Sequence, residues 1–275
     1  MIKFSHTLFA LPFALLAAFL AAGGPPPVLT LLGILGAMVG ARSAAMAFNR
    51  LVDASIDARN PRTVGRALPA GLVSRSYVVL FTLASVALFV ACAAWLNPLC
   101  LALSPLALAV VLGYSFAKRF TAASHLILGF GLGIAPTGAW LAVTGHFAAI
   151  PLLLTAVVML WAAGFDIIYA CQDANFDRSA DLRSIPARLG VAKSLRIARG
   201  LHAAMVAGLF GLALLEPALG AIYWAGVAAV IVMLIHEHRI VSPDDLSRID
   251  LAFFKLNGAV SLVLALAVIA DVSFQ

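Results

Sequence analysis

Nine apolar stretches, at roughly 5 to 22, 28 to 48, 76 to 96, 99 to 116, 125 to 145, 150 to 170, 197 to 215, 218 to 236 and 254 to 274, follow one another along the chain. A helix needs about 20 apolar residues to cross a bilayer, and in lipid only helices and closed barrels satisfy their own backbone. The pattern predicts an all-α, polytopic membrane protein of nine transmembrane helices. No hydrophilic stretch is long enough for a second domain, so residues 1–275 read as a single membrane-embedded domain. Composition agrees, with 63% hydrophobic and 11% charged residues against roughly 25% charged in soluble domains.

The net charge of +6 raises nucleic acid as a partner, but the placement of the charges points to a lipid bilayer instead and to no nucleic acid. All 18 Lys and Arg fall on or near one face of the nine-span arrangement: at Lys3, from Arg42 to Arg75, at Lys118 and Arg119, from Arg178 to Arg199, and at Arg239, Arg248 and Lys255. The opposite connections, from Gly23 to Pro27, Asn97-Pro98, Gly145 to Ala149 and Glu216-Pro217, carry no basic residue. By the positive-inside rule the basic loops are cytoplasmic, with the N-terminus inside and the C-terminus outside, as expected for a multi-pass protein of the cell inner membrane. Lys3 before an apolar run ending in small residues has the outline of a secretory signal. It is read here as the first span, whose Pro12 is tolerable in a membrane. Cys92, Cys100 and Cys171 lack metal-ligand spacing and read as small apolar residues.

Only 12 residues are acidic, yet five of them form two rows at spacing four: Asp53 and Asp57, then Asp173, Asp177 and Asp181. Residues four apart share a helical face, so Asn49 extends the first row, while Asp166 and Tyr169 extend the second. Charge beside hydrocarbon is costly and marks function by default. Carboxylate oxygens suit Mg²⁺, which takes one or two of them and completes its shell with water and phosphate. The rows therefore suggest a membrane site for a diphosphate. The competing reading pairs Asp53 and Asp57 with Arg50 or Arg59 as a helix cap, and Asp181 with Arg178 or Arg183. Lys118 and Arg119, like Arg62 and Arg66, read either as headgroup anchors or as holders of phosphate or carboxylate oxygens. His236 and His238 lack the HExxH arrangement and read as helix-end residues.

The rows follow the second and sixth spans, which hints at two four-helix units in parallel order plus a ninth helix. Transporters also use such repeats, so a cation-coupled secondary transporter is the alternative class. A transporter binds near the midplane, whereas these rows lie at span ends. A scaffold with no chemistry leaves them without a purpose.

Asn49-xxx-Asp53-xxx-Asp57, followed by Arg62-Thr63-xx-Arg66-Ala67-Leu68-Pro69, resembles the first motif of the UbiA superfamily of intramembrane prenyltransferases. The run from Asp166 through Tyr169 to Asp173-xxx-Asp177 is similar to its second motif, and Tyr114-Ser115-Phe116-Ala117-Lys118-Arg119-Phe120-Thr121 to the basic connection between them. The likeness extends from His6-Thr7-Leu8-Phe9-Ala10-Leu11-Pro12-Phe13 to the ninth span. One departure is Arg50, where many members carry an acidic residue; Asp53 and Asp57 are then left to carry the first metal site, and Arg50 is expected to face headgroups or phosphate.

The resemblance implies nine helices around a central cavity capped by polar loops. It also implies transfer of a polyprenyl group from polyprenyl diphosphate to an aromatic ring, with Mg²⁺ held by Asn49, Asp53 and Asp57 on one side and by Asp173 and Asp177 on the other. The four aspartates form the catalytic set, and Asn49, Arg62, Arg66, Lys118, Arg119, Tyr169 and Asp166 the substrate-binding set. The late Ala252-Phe253-Phe254-xx-Asn257 is most similar to the 4-hydroxybenzoate polyprenyltransferase branch. That branch implies an aromatic acid acceptor in ubiquinone or menaquinone synthesis, with a dihydroxynaphthoate as the alternative. Prenyl length and the proton acceptor stay open.

Overall fold

In the computed structural model, residues 7–274 are described; Lys3 and His6, used above for topology and resemblance, lie outside them. The helices run in the order α1 (Thr7–Ala22), α2 (Val28–Val52), α3 (Ala54–Asp57), α4 (Arg75–Leu96), α5 (Pro98–Phe120), α6 (Ser124–Thr144), α7 (Ala149–Ala170), α8 (Ala174–Ser179), α9 (Ile185–Leu189), α10 (Val191–Leu215), α11 (Ala221–Ile240) and α12 (Asn257–Ser273). Among the described residues 8 helices are long and apolar enough to cross a membrane, and the shorter apolar α1 makes the ninth expected segment.

Four spans outrun their apolar stretches at the charged end. Helix α2 continues to Val52, α5 to Phe120 and α11 to Ile240, and α10 begins at Val191, where hydropathy places the limits at 48, 116, 236 and 197. Arg and Lys are good helix formers, and their stems lie along apolar surface while the heads reach water. Hydropathy therefore marked the hydrocarbon and missed the helix ends.

The first helix is enclosed by others, with Phe13, Leu16 and Ala17 fully buried, and α7 buries Trp161, Phe165 and Ile167. Glycine sets the closest approaches. A Cβ on Gly133 of α6 would lie 2.6 Å from the Thr155 carbonyl of α7, and one on Gly40 of α2 would lie 2.7 Å from the Phe89 nitrogen of α4. Small residues let membrane helices pack backbone to backbone where no hydrophobic drive exists. Helix α2 thus packs on α4, and α7 on α6 and α10, while α2 and α7 barely touch each other. The two row-bearing helices belong to different halves with a gap between them.

Both expected helical stripes break at their first aspartate. Helix α2 stops at Val52, Asp53 takes φ −93°, ψ 6°, and α3 begins at the next residue. Helix α7 stops at Ala170, a 3₁₀ turn spans Cys171–Asp173, and Asp173 takes φ −96°, ψ 2° before α8. Aspartate competes for nearby backbone groups and favours such junctions over helix interiors. The hinted repeat is therefore visible as geometry: each row is a spanning helix, an Asp joint, and a short helix whose fourth residue is the buried Asp57 or Asp177.

Asp181 is not a further rung. It lies beyond α8 in the left-handed region at φ 54°, with the Leu182 N–H donating to the Asp177 carbonyl at 2.8 Å, the closure of a helix C-terminus. Its expected partners bond elsewhere, Arg178 to the Ala187 carbonyl and Arg183 to the Phe120 carbonyl. Far from both rows, Asp271 Oδ2 accepts from the Gly220 and Tyr223 N–H groups at 2.8 and 2.7 Å and caps α11.

Charge asymmetry predicts that single cysteines at positions 55, 120, 180 and 245 of a cysteine-free protein label only from the cytoplasm, and those at 25, 147 and 217 only from outside. Labelling of position 180 from outside intact cells would contradict this topology.

Candidate active site

The first joint is built by α2, α3 and the loop after them. Asn49 Nδ2 donates to Asp53 Oδ2 at 2.9 Å, one turn along. Arg119, at the end of α5, donates from Nη2 to the Val52 carbonyl at 2.7 Å and lies 3.4 Å from Asp53 Oδ1. Burial, and next the charge of Asp57, push the Asp53 carboxyl above the usual range, the state of two neighbouring carboxylates held out of water without a full counter-charge. Asp57 is paired with Arg66 through Oδ1 at 2.6 Å, and Arg50 stands 3.7 Å from its Oδ2. Arg50 thus faces the site rather than headgroups, and Arg59, the other partner considered, donates to the Ser55 carbonyl.

The loop from 58 to 74 then crosses the gap. Arg62 donates to Asp173 from Nε to Oδ1 at 2.9 Å and from Nη2 to Oδ2 at 2.5 Å, and from Nη1 to the Tyr169 hydroxyl at 3.0 Å. Such a two-point fork is the strong form of an Arg–carboxylate contact. Asn60 adds a 3.2 Å bond from Nδ2 to Asp173 Oδ1, and its own Oδ1 accepts from the Arg62 N–H at 2.9 Å, fixing the turn that aims the guanidinium. The Thr63 hydroxyl bonds the Asp57 carbonyl at 3.0 Å, so one turn ties both joints together.

The charged end of α5 closes the third side. Arg183, after α8, donates its N–H to the Lys118 carbonyl at 2.7 Å and its Nη1 to the Phe120 carbonyl at 2.9 Å. Deeper in, Asp166 Oδ2 meets His125 Nδ1 of α6 at 2.6 Å, while His125 Nε2 faces the Ile185 N–H at 3.4 Å. Since Nε2 accepts, Nδ1 carries the hydrogen and donates to the carboxylate, an assignment drawn from the network. All eleven expected site residues thus lie along the rows and the connections that close on them.

Reading the sequence for rows and loops gave no role to Asn60 and His125, which bond Asp173 and Asp166, nor to Arg42, and quoted Tyr114 only within a motif. Tyr114 lies within electrostatic reach of Arg42, Arg50, Asp53 and Asp166. Arg42 lies 7 residues before Asn49 on α2, hence on its face, and its Nε is buried with no hydrogen-bond partner. A charged residue inside an apolar run was the available signal.

The late motif is structural. A π-helical turn over Leu251–Leu256 precedes α12, and Asn257 Nδ2 donates to the Ala252 carbonyl at 3.0 Å, satisfying part of the backbone disturbed by that turn. The same amide donates to Glu237 Oε1 at 2.9 Å and accepts from Trp161 Nε1 at 2.8 Å, joining α7, α11 and α12. Phe253 packs 4.1 Å from the Tyr169 ring, centroid to centroid, so this core steadies the residue that Arg62 grips.

The donor set fits a hard cation. Asp57 Oδ2 and Asp177 Oδ2, one from each row, are buried and have no hydrogen-bond donor, a costly condition for a carboxylate. Among the described residues no three His, Cys, Asp or Glu side chains are gathered as a metal cage. A cation here would rest on one or two carboxylates and on the oxygens of a bound phosphate, the manner of Mg²⁺ rather than of a dedicated cage.

Removing Arg62 leaves the largely buried Asp173 carboxylate with Asn60 alone. Arg62→Gln is expected to lower unfolding free energy by about 1–3 kcal/mol, below the loss for a fully buried pair because the Arg62 side chain is 32% exposed. Arg59→Gln is expected to change little. Equal denaturation midpoints in detergent for Arg62→Gln and the unmodified protein would contradict the bridge.

Comparison with known proteins agrees with this architecture. The model of the UbiA prenyltransferase family matches residues 10–259. A UbiA homolog from Aeropyrum pernix K1, solved in the apo form, is 37% identical, with 98% of this chain and 99% of that one superposed at a TM-score of 0.89. The 4-hydroxybenzoate octaprenyltransferase of Xanthomonas euvesicatoria pv. vesicatoria is 33% identical over 225 residues, covering 82% of this chain and 74% of its own. A UbiA homolog from Archaeoglobus fulgidus, bound to DMAPP and Mg²⁺, shares the fold at 21% identity, 96% and 95% coverage and a TM-score of 0.67. With the family model spanning most of the chain and the two Asp joints in place, this multi-pass membrane protein belongs to the UbiA prenyltransferase family.

Proposed function

We propose that this protein transfers a polyprenyl group from its diphosphate to an aromatic acid of the 4-hydroxybenzoate kind, as a step of respiratory quinone synthesis. The observation that carries the proposal is the pair of matching Asp joints, 53 with 57 and 173 with 177, held on either side of a gap by Arg62. Support for the substrates comes from the Xanthomonas relative's name and from the DMAPP and Mg²⁺ bound by the Archaeoglobus homolog. Both joints lie where α2 and α7 end, not at the midplane where a transporter would bind its coupling ion. The unit works as one membrane-embedded domain of the inner membrane, with the loops that carry the rows in the cytoplasm.

Asn49, Asp53 and Asp57 would hold Mg²⁺ on one side, and Asp173 and Asp177 on the other. When bound, the metal supplies positive charge to the diphosphate oxygens as the allylic C–O bond breaks. The chain adds its own cations. Arg66 and Arg119 already lean on the first row and Arg62 on the second, and Lys118 stands beside Arg119 in the last turn of α5. In the loaded site the carboxylates would hold the metal, and each of these cations would serve a phosphate oxygen. The electron-rich ring of the acceptor then attacks the allylic carbon, and the ring proton leaves to a nearby aspartate or to the released diphosphate. Asp166, fixed by the His125 Nδ1–H, and the Tyr169 hydroxyl, fixed by Arg62, border the space where the ring would sit.

Purified protein given labelled polyprenyl diphosphate, Mg²⁺ and a panel of aromatic acids is expected to prenylate 4-hydroxybenzoate, with a dihydroxynaphthoate in the panel to locate the acceptor within the quinone precursors. Excess EDTA is expected to abolish turnover and added Mg²⁺ to restore it. Full activity with metal verified absent would remove the proposed role of both rows, and no product with any aromatic acid would overturn the acceptor class.

A further inference from the structure

Away from the rows, α10 and α11 touch each other only lightly, and a groove of about 510 Å³ opens between them. Its walls are apolar, from Val206 on α10 to Ile231 and Ile235 on α11, and its charged end carries Arg199 and Arg239. Both arginines are exposed. Among the described residues neither forms an ion pair. The acid nearest in sequence, Glu237, is fully buried and turned to Asn257.

The floor is rigid and polar. His202 Nε2 meets the Trp161 carbonyl at 3.2 Å, and His202 Nδ1 meets His238 Nε2 at 3.0 Å. A carbonyl only accepts, so the neutral His202 carries its hydrogen on Nε2 and takes one from His238 Nε2. The Nδ1 of His238, a residue lining the groove, is then left as an acceptor. Two free guanidiniums and one acceptor thus stand at the headgroup end of an oily slot between membrane helices.

We propose that this groove is a binding site for an anionic phospholipid of the surrounding leaflet, with the phosphate between Arg199 and Arg239, a headgroup hydroxyl on His238 Nδ1, and an acyl chain along Val206, Ile231 and Ile235. Charge complementarity selects the occupant: basic pockets between spanning helices at the basic face of a membrane protein suit acidic headgroups, and paired guanidiniums suit phosphate. A zwitterionic lipid would bring its own cation to the two arginines. The groove uses none of the residues assigned to prenyl transfer, so the site stands or falls separately from that reading.

The test is native mass spectrometry of the full chain in detergent, titrated with dioleoyl phosphatidylglycerol or dioleoyl phosphatidylcholine. A one-to-one phosphatidylglycerol adduct is expected, favoured over phosphatidylcholine by roughly tenfold or more, the scale of two basic residues acting on an anionic lipid. Arg199→Ala with Arg239→Ala is expected to erase the preference. Ile235→Trp, which keeps both charges but fills the slot, is expected to weaken the adduct while the protein stays folded by circular dichroism. Equal binding of the two lipids, or a preference unchanged in the double variant, would overturn the proposal. Displacement of phosphatidylglycerol by geranyl diphosphate would overturn it in favour of a staging site for the prenyl substrate.

Discussion

The fork of Arg62 on Asp173 joins the ends of two helices, α2 and α7, that otherwise barely meet. Helix α2 packs on α4 and α7 on α6 and α10, so the edge between α2 and α7 lacks the close packing found within each half. A single loop, turned by Asn60 and pinned by Thr63 to the Asp57 carbonyl, carries a guanidinium from the first row to the second. Charge does here what packing does elsewhere in the bundle. An unpaired carboxylate beside hydrocarbon is costly, so each joint recruits a cation from a neighbouring element: Arg66 and Arg50 for Asp57, Arg119 for Asp53, Arg62 for Asp173.

The compensation is incomplete, and that incompleteness defines the site. Asp57 Oδ2 and Asp177 Oδ2 stay buried without donors, and the Asp53 carboxyl is pushed upward by burial and by Asp57. Such a surface offers carboxylate oxygens to a cation beside guanidiniums that suit phosphate. The arginines that quiet the carboxylates in the free protein are also the groups best shaped for phosphate.

Much of this was legible in the residues. Nine apolar stretches marked the spans, and the Asp spacing located both joints. Helix ends escaped because hydropathy reports where hydrocarbon lies, while α2, α5, α10 and α11 carry their helices on through Arg and Lys. Spacing of four implied unbroken helices, but Asp53 and Asp173 interrupt them, each turning its carboxylate to side chains from other elements or from the preceding turn. Asp181 was placed in the row by arithmetic and belongs to a turn by its φ of 54°. The partners His125 and Asn60 come from 41 and 113 residues away from the aspartates they hold, a separation that no local pattern records.

The central claim is that Asp57 and Asp177, from different halves, act on one diphosphate. A double-mutant cycle on prenyl transfer, with Asp57→Asn, Asp177→Asn and the pair compared at equal amounts of folded enzyme, tests it most directly. Each single change is expected to lower turnover by at least about 10²-fold, the scale of losing one preorganised electrostatic partner, and the pair to fall little further, as for groups that act as a unit. Near-normal rates in the single variants, or losses that multiply in full, would contradict a shared site.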